Sequence, residues 1–437
     1  MAKKENNGIE SLEHDYSQTY NPLLAALAEN DKKNLFSTNV RSAFMKTGFH
    51  LFDYYFGSVI NVHDEFGRIV RQEPRIGQAA GTFNLIIGNT GTGKTTLAIQ
   101  IAANIIRQYK YANIIHYDCE NRLDISRCES ISKLPSHYFQ SSEKGGERYM
   151  VKCGMVGLDI IQEMIVKTYV NKLSLKDQLY VPSGFKDEFG QDVYIYEPTV
   201  IIIDSITSVI NETFNPNSAK EVNDAEKMRG NIEGARDAKT LKGFFKDIIP
   251  LCREANIVIY GINHINSNMS ANAFVPVAKQ QNFLNQDESI PGGKTMLYYP
   301  FNIIKLTSKP NDDFTEEADG FAGHMVMIEP IKSSSNQSGN NRKGVSFEMV
   351  LVFKNGFDPL RTMIMYGRDH GLIEGNKNRM KFKDDDSYTF SFKDIVKEKN
   401  EKPIWEDIKK YIVPTLVEHL PFIDPIESQF DDRAMDY

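Results

Sequence analysis

One stretch, residues 83–96 (FNLIIGNTGTGKTT), restricts the choice of fold more than any other. A short apolar run leads into a glycine-rich segment. An amphipathic pattern follows, with Leu97, Ile101 and Ile105 apolar and Gln100, Asn104 and Arg107 polar. The order is strand, loop, helix. Gly88, Gly93, Lys94 and Thr95 fit G-x-x-x-x-G-K-[ST] without a mismatch. Gly88, Gly91 and Gly93 let the backbone turn so that several N–H groups face one phosphate chain. Lys94 sets a positive charge near the β and γ phosphates, the Thr95 hydroxyl is a ligand for Mg²⁺, and the helix aims its N-terminus at the anion. The expected ATP-binding segment is therefore Gly88, Asn89, Thr90, Gly91, Thr92, Gly93, Lys94, Thr95 and Thr96. A chance glycine turn would lack the strand before and the helix after.

Later strands supply the remaining polar groups. Residues 112–118 (ANIIHYD) read as a short buried strand ending in Cys119 and Glu120. An acid at the carboxyl end of a parallel strand lies where ligands bind in open α/β sheets. Glu120 is thus either the group that polarises a water attacking the γ-phosphate or a solvated strand-end carboxylate. Residues 199–205 (TVIIIDS) form a second buried strand, which delivers Asp204 as the acid holding Mg²⁺. Residues 256–263 (NIVIYGIN) form a third, ending in Asn263 and His264. That pair either faces the γ-phosphate or is an ordinary satisfied strand end.

Between and around these strands the pattern is mixed. Residues 1–37 are polar except for PLLAALA at 22–28, a helix docked either on a neighbouring subunit or on its own domain. Residues 60–70 and 180–196 read as hairpins, each with D-E-F-G at its turn. A helix is expected over 158–173, and another over 235–255, kinked at Pro250. Lys227, Arg229, Arg236, Lys239 and Lys242 gather about the start of the latter, as a solvated face or a binding surface. Residues 265–290 are rich in amides, with Met269, Phe274 and Lys279 among them. They run into Pro291, Gly292, Gly293 and Lys294, a composition suited to an extended nucleic-acid strand. Strands follow at 301–307, 324–332 and 345–354, read as antiparallel additions, then a helix over 360–370 and a helix pair about Pro414.

Composition adds exclusions. The chain has 437 residues, 41% hydrophobic and 25% charged, as expected of globular domains. It has no apolar run long enough to span a membrane, and its polar, acid-bearing first residues do not read as a signal peptide. Cys119, Cys128, Cys153 and Cys252 have no metal-ligand spacing and are expected as reduced thiols of a cytoplasmic protein. The net charge of −7 argues against a passive nucleic-acid coat, while leaving room for a groove whose positive charge is local.

Taken together, the ordered motifs resemble the RecA-type strand-exchange recombinases, and among them the phage UvsX-type members. The matching residues are GNTGTGKTT at 88–96, YDCE at 117–120, VIIIDS at 200–205, DAKTLKGFF at 237–245 and INH at 262–264. GGK at 292–294 and GFDP at 356–359 add to these. The resemblance covers roughly residues 40–375. It implies an α/β fold with a RecA-like P-loop core: a mostly parallel twisted sheet with flanking helices and antiparallel added strands. It also implies an N-terminal subunit-packing segment over 1–37, a core over 38–375 with insertions at about 60–76 and 121–198, and a small C-terminal domain with an acidic tail over 376–437.

By the same resemblance Glu120 activates water, with Lys94 as its catalytic partner. Asn263 and His264 sense the γ-phosphate, and residues 226–236 and 265–291 are DNA-binding loops. Contact with ATP from a neighbouring subunit would come from Lys332, with Arg342 or Lys343. The implied activity is a DNA-dependent ATPase that forms helical filaments on single-stranded DNA and pairs it with duplex DNA. ATP and Mg²⁺ are its cofactors, a loader or single-strand-binding protein is a further partner, and no membrane is involved. The setting implied is a bacterial host cytoplasm if the chain is phage-encoded. The alternatives are a hexameric RecA-fold helicase of the DnaB type and a non-recombinase ATP-dependent regulatory assembly.

Overall fold

The computed structural model describes residues 43–64, 68–139, 147–154, 156–209, 232–267, 284, 288–334, 345–385, 387–395 and 398–420, with the backbone course alone over 232–238, 310–313 and 398–401 and at 267. Its centre is a nine-stranded sheet. In chain order the strands are β1 (Phe83–Gly88), β2 (Asn113–Asp118), β3 (Tyr149–Cys153), β4 (Thr199–Asp204), β5 (Ile257–His264), β6 (Asn302–Phe314), β7 (Gly323–Ser333), β8 (Phe347–Val352) and β9 (Gly356–Phe357). Across the sheet they lie β9-β8-β7-β6-β1-β5-β4-β2-β3. From β6 to β3 every pairing is parallel. From β6 to β9 every pairing is antiparallel. The architecture is thus a mixed α/β fold built on a large, mostly parallel sheet.

The inner strands are buried and largely apolar on both sides because helices cover both faces. Alternate residues point to opposite sides. Ile86, Ile114, Val200, Ile202, Val258 and Ile262 pack with Leu97, Ile101 and Ile105 of helix α1 (Lys94–Arg107). Helix α2 (Ile125–Ser132) adds Cys128 and Ile131 to that layer. Leu85, Ile115, Ile201, Ile203 and Ile259 face the other way. There they meet Leu158, Ile161 and Ile165 of helix α3 (Leu158–Ser174) and Leu241, Phe245 and Ile248 of helix α4 (Ile232–Glu254).

Both expected hairpins form, as Ser58–His63 with Ile69–Arg75 and as Tyr180–Lys186 with Asp192–Tyr196. They also touch: the His63 N–H donates to the Glu188 carbonyl at 2.9 Å, and the Arg75 guanidinium donates to the Lys186 carbonyl at 2.6 Å. Ahead of the sheet, Asp53 is 2% exposed and accepts both the Thr47 N–H, at 2.8 Å, and its hydroxyl, at 2.6 Å. Asn104 of α1 donates to the Thr47 carbonyl at 2.8 Å, so this turn is fastened to the helix that follows the glycine loop.

Four details differ from the sequence reading. The strand expected at 301–307 as an antiparallel addition pairs parallel with β1, and antiparallel pairing is confined to the run from β6 to β9. β3 has no counterpart in the reading, since its short, half-exposed run YMVKC carries neither clean alternation nor a continuous apolar stretch. α4 spans Ile232–Glu254 where 235–255 was expected, with Phe244, Phe245, Ile248 and Cys252 buried about Pro250. In place of a helix pair about Pro414, a helix over Glu398–Asp407 passes into a wider turn over Ile408–Ile412 and a tighter one over Val413–His419. Ile404, Ile408, Ile412, Leu416 and Leu420 recur every fourth residue along it and join the same apolar cluster as α1.

Candidate functional site

Four parallel strands end at one edge of the sheet. In register, His264 at the end of β5 lies beside Gly88 of β1, and Asp204 at the end of β4 lies beside Asp118 of β2. β5 sits between β1 and β4, so its end reaches both the glycine loop and the acids.

The loop itself depends on two left-handed residues, Gly91 at φ +83° and Gly93 at φ +84°. Gly93 is also hemmed in: a Cβ there would stand 3.0 Å from the Phe357 ring and 3.1 Å from Leu351, whereas one at Gly91 would meet open space. The antiparallel strands β8 and β9 thus form the wall on which the loop rests. The Thr92 hydroxyl donates to the Asn89 carbonyl at 2.9 Å and closes the loop on itself. Lys94 is buried, and its Nζ donates to the carbonyls of Gly88 at 2.9 Å and Asn89 at 2.8 Å. Burial pulls its pKa down to about 8, against the opposing pull of Asp204 and Glu120.

The Thr95 hydroxyl donates to Asp204 Oδ2 at 2.6 Å. Burial raises the Asp204 pKa; the Thr95 hydrogen bond opposes this, and the neighbouring Glu120 and Asp118 add to it. Two adjacent hard oxygen donors at the mouth of a glycine loop fit a divalent cation such as Mg²⁺, and these are the residues that would hold it.

Glu120 follows β2 on a turn fixed by Asp118, which accepts the N–H groups of Arg122 at 3.2 Å and Leu123 at 2.8 Å. The Cys119 N–H donates to the Asp204 carbonyl at 2.8 Å and joins the ends of β2 and β4. Glu120 Oε1 meets His264 Nε2 at 3.0 Å, and Oε2 meets Arg122 Nη1 at 3.2 Å. Partial burial would raise the Glu120 carboxyl. The hydrogen bonds from His264 and Ser205 outweigh it and hold the pKa below the ordinary carboxylate value.

Asn263 is fully buried, accepts the His264 N–H at 3.0 Å and donates to the Pro291 carbonyl at 3.0 Å. That bond carries the strand end to Gly292 and Gly293, both at positive φ, and to Lys294 at the head of the short helix Thr295–Tyr298.

These groups line a cavity of about 460 Å³. Its lining includes the charged and polar Lys94, Thr95, Asp204, Glu120 and His264 together with Leu123, Ile131, Leu351 and Phe353, with Arg127 and His324 among them. Arg127 donates to the carbonyls of Phe353 at 2.8 Å and Lys354 at 2.7 Å. A lining that combines charged with apolar and aromatic groups suits a ligand with both characters.

Of the expected site residues, those of the glycine loop, Glu120, Asp204, Asn263 and His264 therefore come together. Lys332 does not line this cavity; its Nζ donates to the carbonyls of Leu297 at 3.2 Å and Tyr298 at 2.9 Å. Lys239 is exposed near the start of α4, and Arg236 lies on the same helix. Lys227, Arg229, Met269, Phe274, Lys279, Arg342 and Lys343 fall outside the described residues, as do residues 1–37 and the tail from 421. Sequence reasoning missed Asp118, Arg122, Arg127, His324 and Phe353. Asp118 closes β2 and Arg122 and Arg127 follow it closely, so these were within reach, whereas His324 and Phe353 arrive from β7 and the end of β8, with no local sign of their destination.

No protein-family model matches the chain, and no curated protein sequence does. No helix among the described residues is long and apolar enough to cross a membrane.

Proposed function

We propose that the chain is a RecA-type recombinase: an ATPase that assembles as a helical filament on single-stranded DNA and pairs that strand with duplex DNA. The observation that carries this reading is the meeting of Glu120 and His264 at 3.0 Å beside the glycine loop, on separate strands of one sheet edge. A nucleotide-binding loop alone would suit many proteins. An acid poised for water and an imidazole on the strand that leads into residues 265–291 suit one in which hydrolysis is coupled to a polar loop.

In this reading Lys94 leaves the carbonyls of Gly88 and Asn89 for the β and γ phosphates, and the loop N–H groups receive the rest of the chain of phosphates. The base lies against Arg127 and Phe353. Thr95 and Asp204 would hold Mg²⁺, which would supply charge neutralisation at the phosphates. Glu120 orients the attacking water and accepts its proton, while His264 holds one carboxylate oxygen and registers whether the terminal phosphate is present. Asn263 passes that state to Pro291 and the two glycines beyond it through its 3.0 Å bond. The polar segments 226–236 and 265–291 then grip single-stranded DNA in the triphosphate state and release it after hydrolysis. Binding dominated by phosphate contacts would weaken with salt at a log–log slope of about −0.7 per contact.

Electron microscopy of the full chain with single-stranded DNA, Mg²⁺ and a nonhydrolysable ATP analogue tests the proposal. Open helical filaments are expected. Closed rings would transfer the reading to a hexameric helicase, and particles indifferent to both ligands would defeat it.

A further inference from the structure

The acids and cations of the cavity differ in how firmly they are held. Arg127 is committed to two backbone carbonyls, and Lys94 is buried within the glycine loop. Arg122 is different. Its side chain is 77% exposed, it lines the same cavity, and its ion pair is with Glu120, whose own side chain is only 20% exposed. With His264 on Oε1 and Arg122 on Oε2, both oxygens of the water-orienting carboxylate are engaged.

We propose that Arg122 is a latch that reads the terminal phosphate: it holds Glu120 until a nucleoside triphosphate enters, then leaves Glu120 for the γ-phosphate. This rests on the ATPase reading above and names how that site tells triphosphate from diphosphate. The arginine of this pair is largely in solvent, which screens the contact and leaves it weakly held. A terminal phosphate offers more negative charge than a carboxylate and a bidentate acceptor geometry that guanidinium matches well. The exchange is therefore downhill for a triphosphate. A diphosphate ends at the glycine loop and does not reach between Lys94 and Glu120, so it leaves the pair intact. Two consequences follow from one movement: Arg122 adds positive charge where the γ-phosphate departs, and Glu120 Oε2 is freed to take a water while His264 still holds Oε1.

The charge balance of the cavity also favours this role. Its lining brings the acids Asp118, Glu120, Asp124 and Asp204 against the cations Lys94, Arg122 and Arg127. Asp124 is spent capping α2, accepting the Ser126 N–H at 3.0 Å, and Asp118 is spent on its turn. The triphosphate needs cation contacts beyond Lys94 and Mg²⁺, and Arg122 is the cavity-lining arginine not clamped to the backbone.

The test is competition of ADP and of a nonhydrolysable ATP analogue, each with Mg²⁺, against a fluorescent ADP derivative on the full chain. Arg122→Gln and Arg122→Lys are compared with the unaltered protein. The latch predicts that Arg122→Gln loses about tenfold or more in affinity for the ATP analogue, the scale of a charge-assisted hydrogen bond, while ADP affinity stays within twofold. Arg122→Lys should recover part of the loss. Equal losses for both nucleotides, or no change for either, would overturn the latch while leaving nucleotide binding standing. An unaltered protein that binds neither nucleotide would overturn the latch and the ATPase reading together. Because the side chain is largely exposed, both variants should fold, which unchanged thermal unfolding would verify.

Discussion

Gly91→Ala and Gly93→Ala place the same methyl group on two residues with nearly the same backbone, φ +83° and φ +84°, in very different surroundings. Forcing an alanine into the left-handed region costs about 1–2 kcal/mol. The loss of unfolded-state freedom returns about 0.4–1 kcal/mol of that. At Gly91, where a Cβ meets open space, the net destabilisation should lie between about 0 and 1.6 kcal/mol. At Gly93 the Cβ arrives 3.0 Å from the Phe357 ring and 3.1 Å from Leu351. Phe357 is buried and cannot easily yield, because Gln100 donates to its carbonyl at 3.0 Å and accepts its N–H at 2.8 Å. Overpacking of this kind adds about 1–3 kcal/mol. Urea unfolding without nucleotide should therefore rank Gly93→Ala below Gly91→Ala by about that difference, with unchanged m-values. Equal destabilisation of the two variants would refute the claim that β8 and β9 buttress the loop.

Other expectations concern chemistry and pH. Lys94→Ala should abolish nucleotide turnover, whereas Glu120→Gln should keep nucleotide binding and slow hydrolysis by about 10²- to 10⁴-fold; normal hydrolysis by Glu120→Gln would remove it from the role of base. Burial raises the Asp53 pKa to about 7, against the two Thr47 hydrogen bonds that lower it. A folded pKa above the unfolded value means stability that is full below about pH 4 and is lost as pH rises through about 7, by up to roughly 4 kcal/mol. Asp53→Asn should flatten that decline in urea midpoints taken between pH 4 and 8, and a parallel slope in the variant would show that the loss arises elsewhere. Lys172, fully buried with its Nζ donating to the carbonyls of Glu197, Ala255 and Asn256, ties α3 to the end of α4. Lys172→Ala should cost about 2–5 kcal/mol in thermal or urea unfolding, and a change below 1 kcal/mol would deny it that role.

The parts of this molecule that announced themselves in the sequence share one property: their physics is local. Residues 83–96 carry strand, loop and helix signals in sequence order, and the buried strands ending in Asp204 and His264 are continuous apolar runs with a polar stop. What stayed hidden depends on distant partners. The half-exposed β3 is a strand because β2 offers it an edge, and the direction of β6 is fixed by β1 lying open beside it. The part of the cavity lining formed by His324, Leu351 and Phe353 likewise needs β7 and β8 to fold back against a loop far earlier in the chain. The 3.0 Å meeting of Glu120 and His264 joins the two cases, since each residue could be marked as a strand end but only the sheet order brings them together.

Calorimetric titration of a nonhydrolysable ATP analogue with Mg²⁺ into the unaltered chain and into Lys94→Ala asks the central question directly. The account predicts one saturable site per chain in the first and none in the second. Binding that survives intact in Lys94→Ala, or no binding by the unaltered chain, would contradict it.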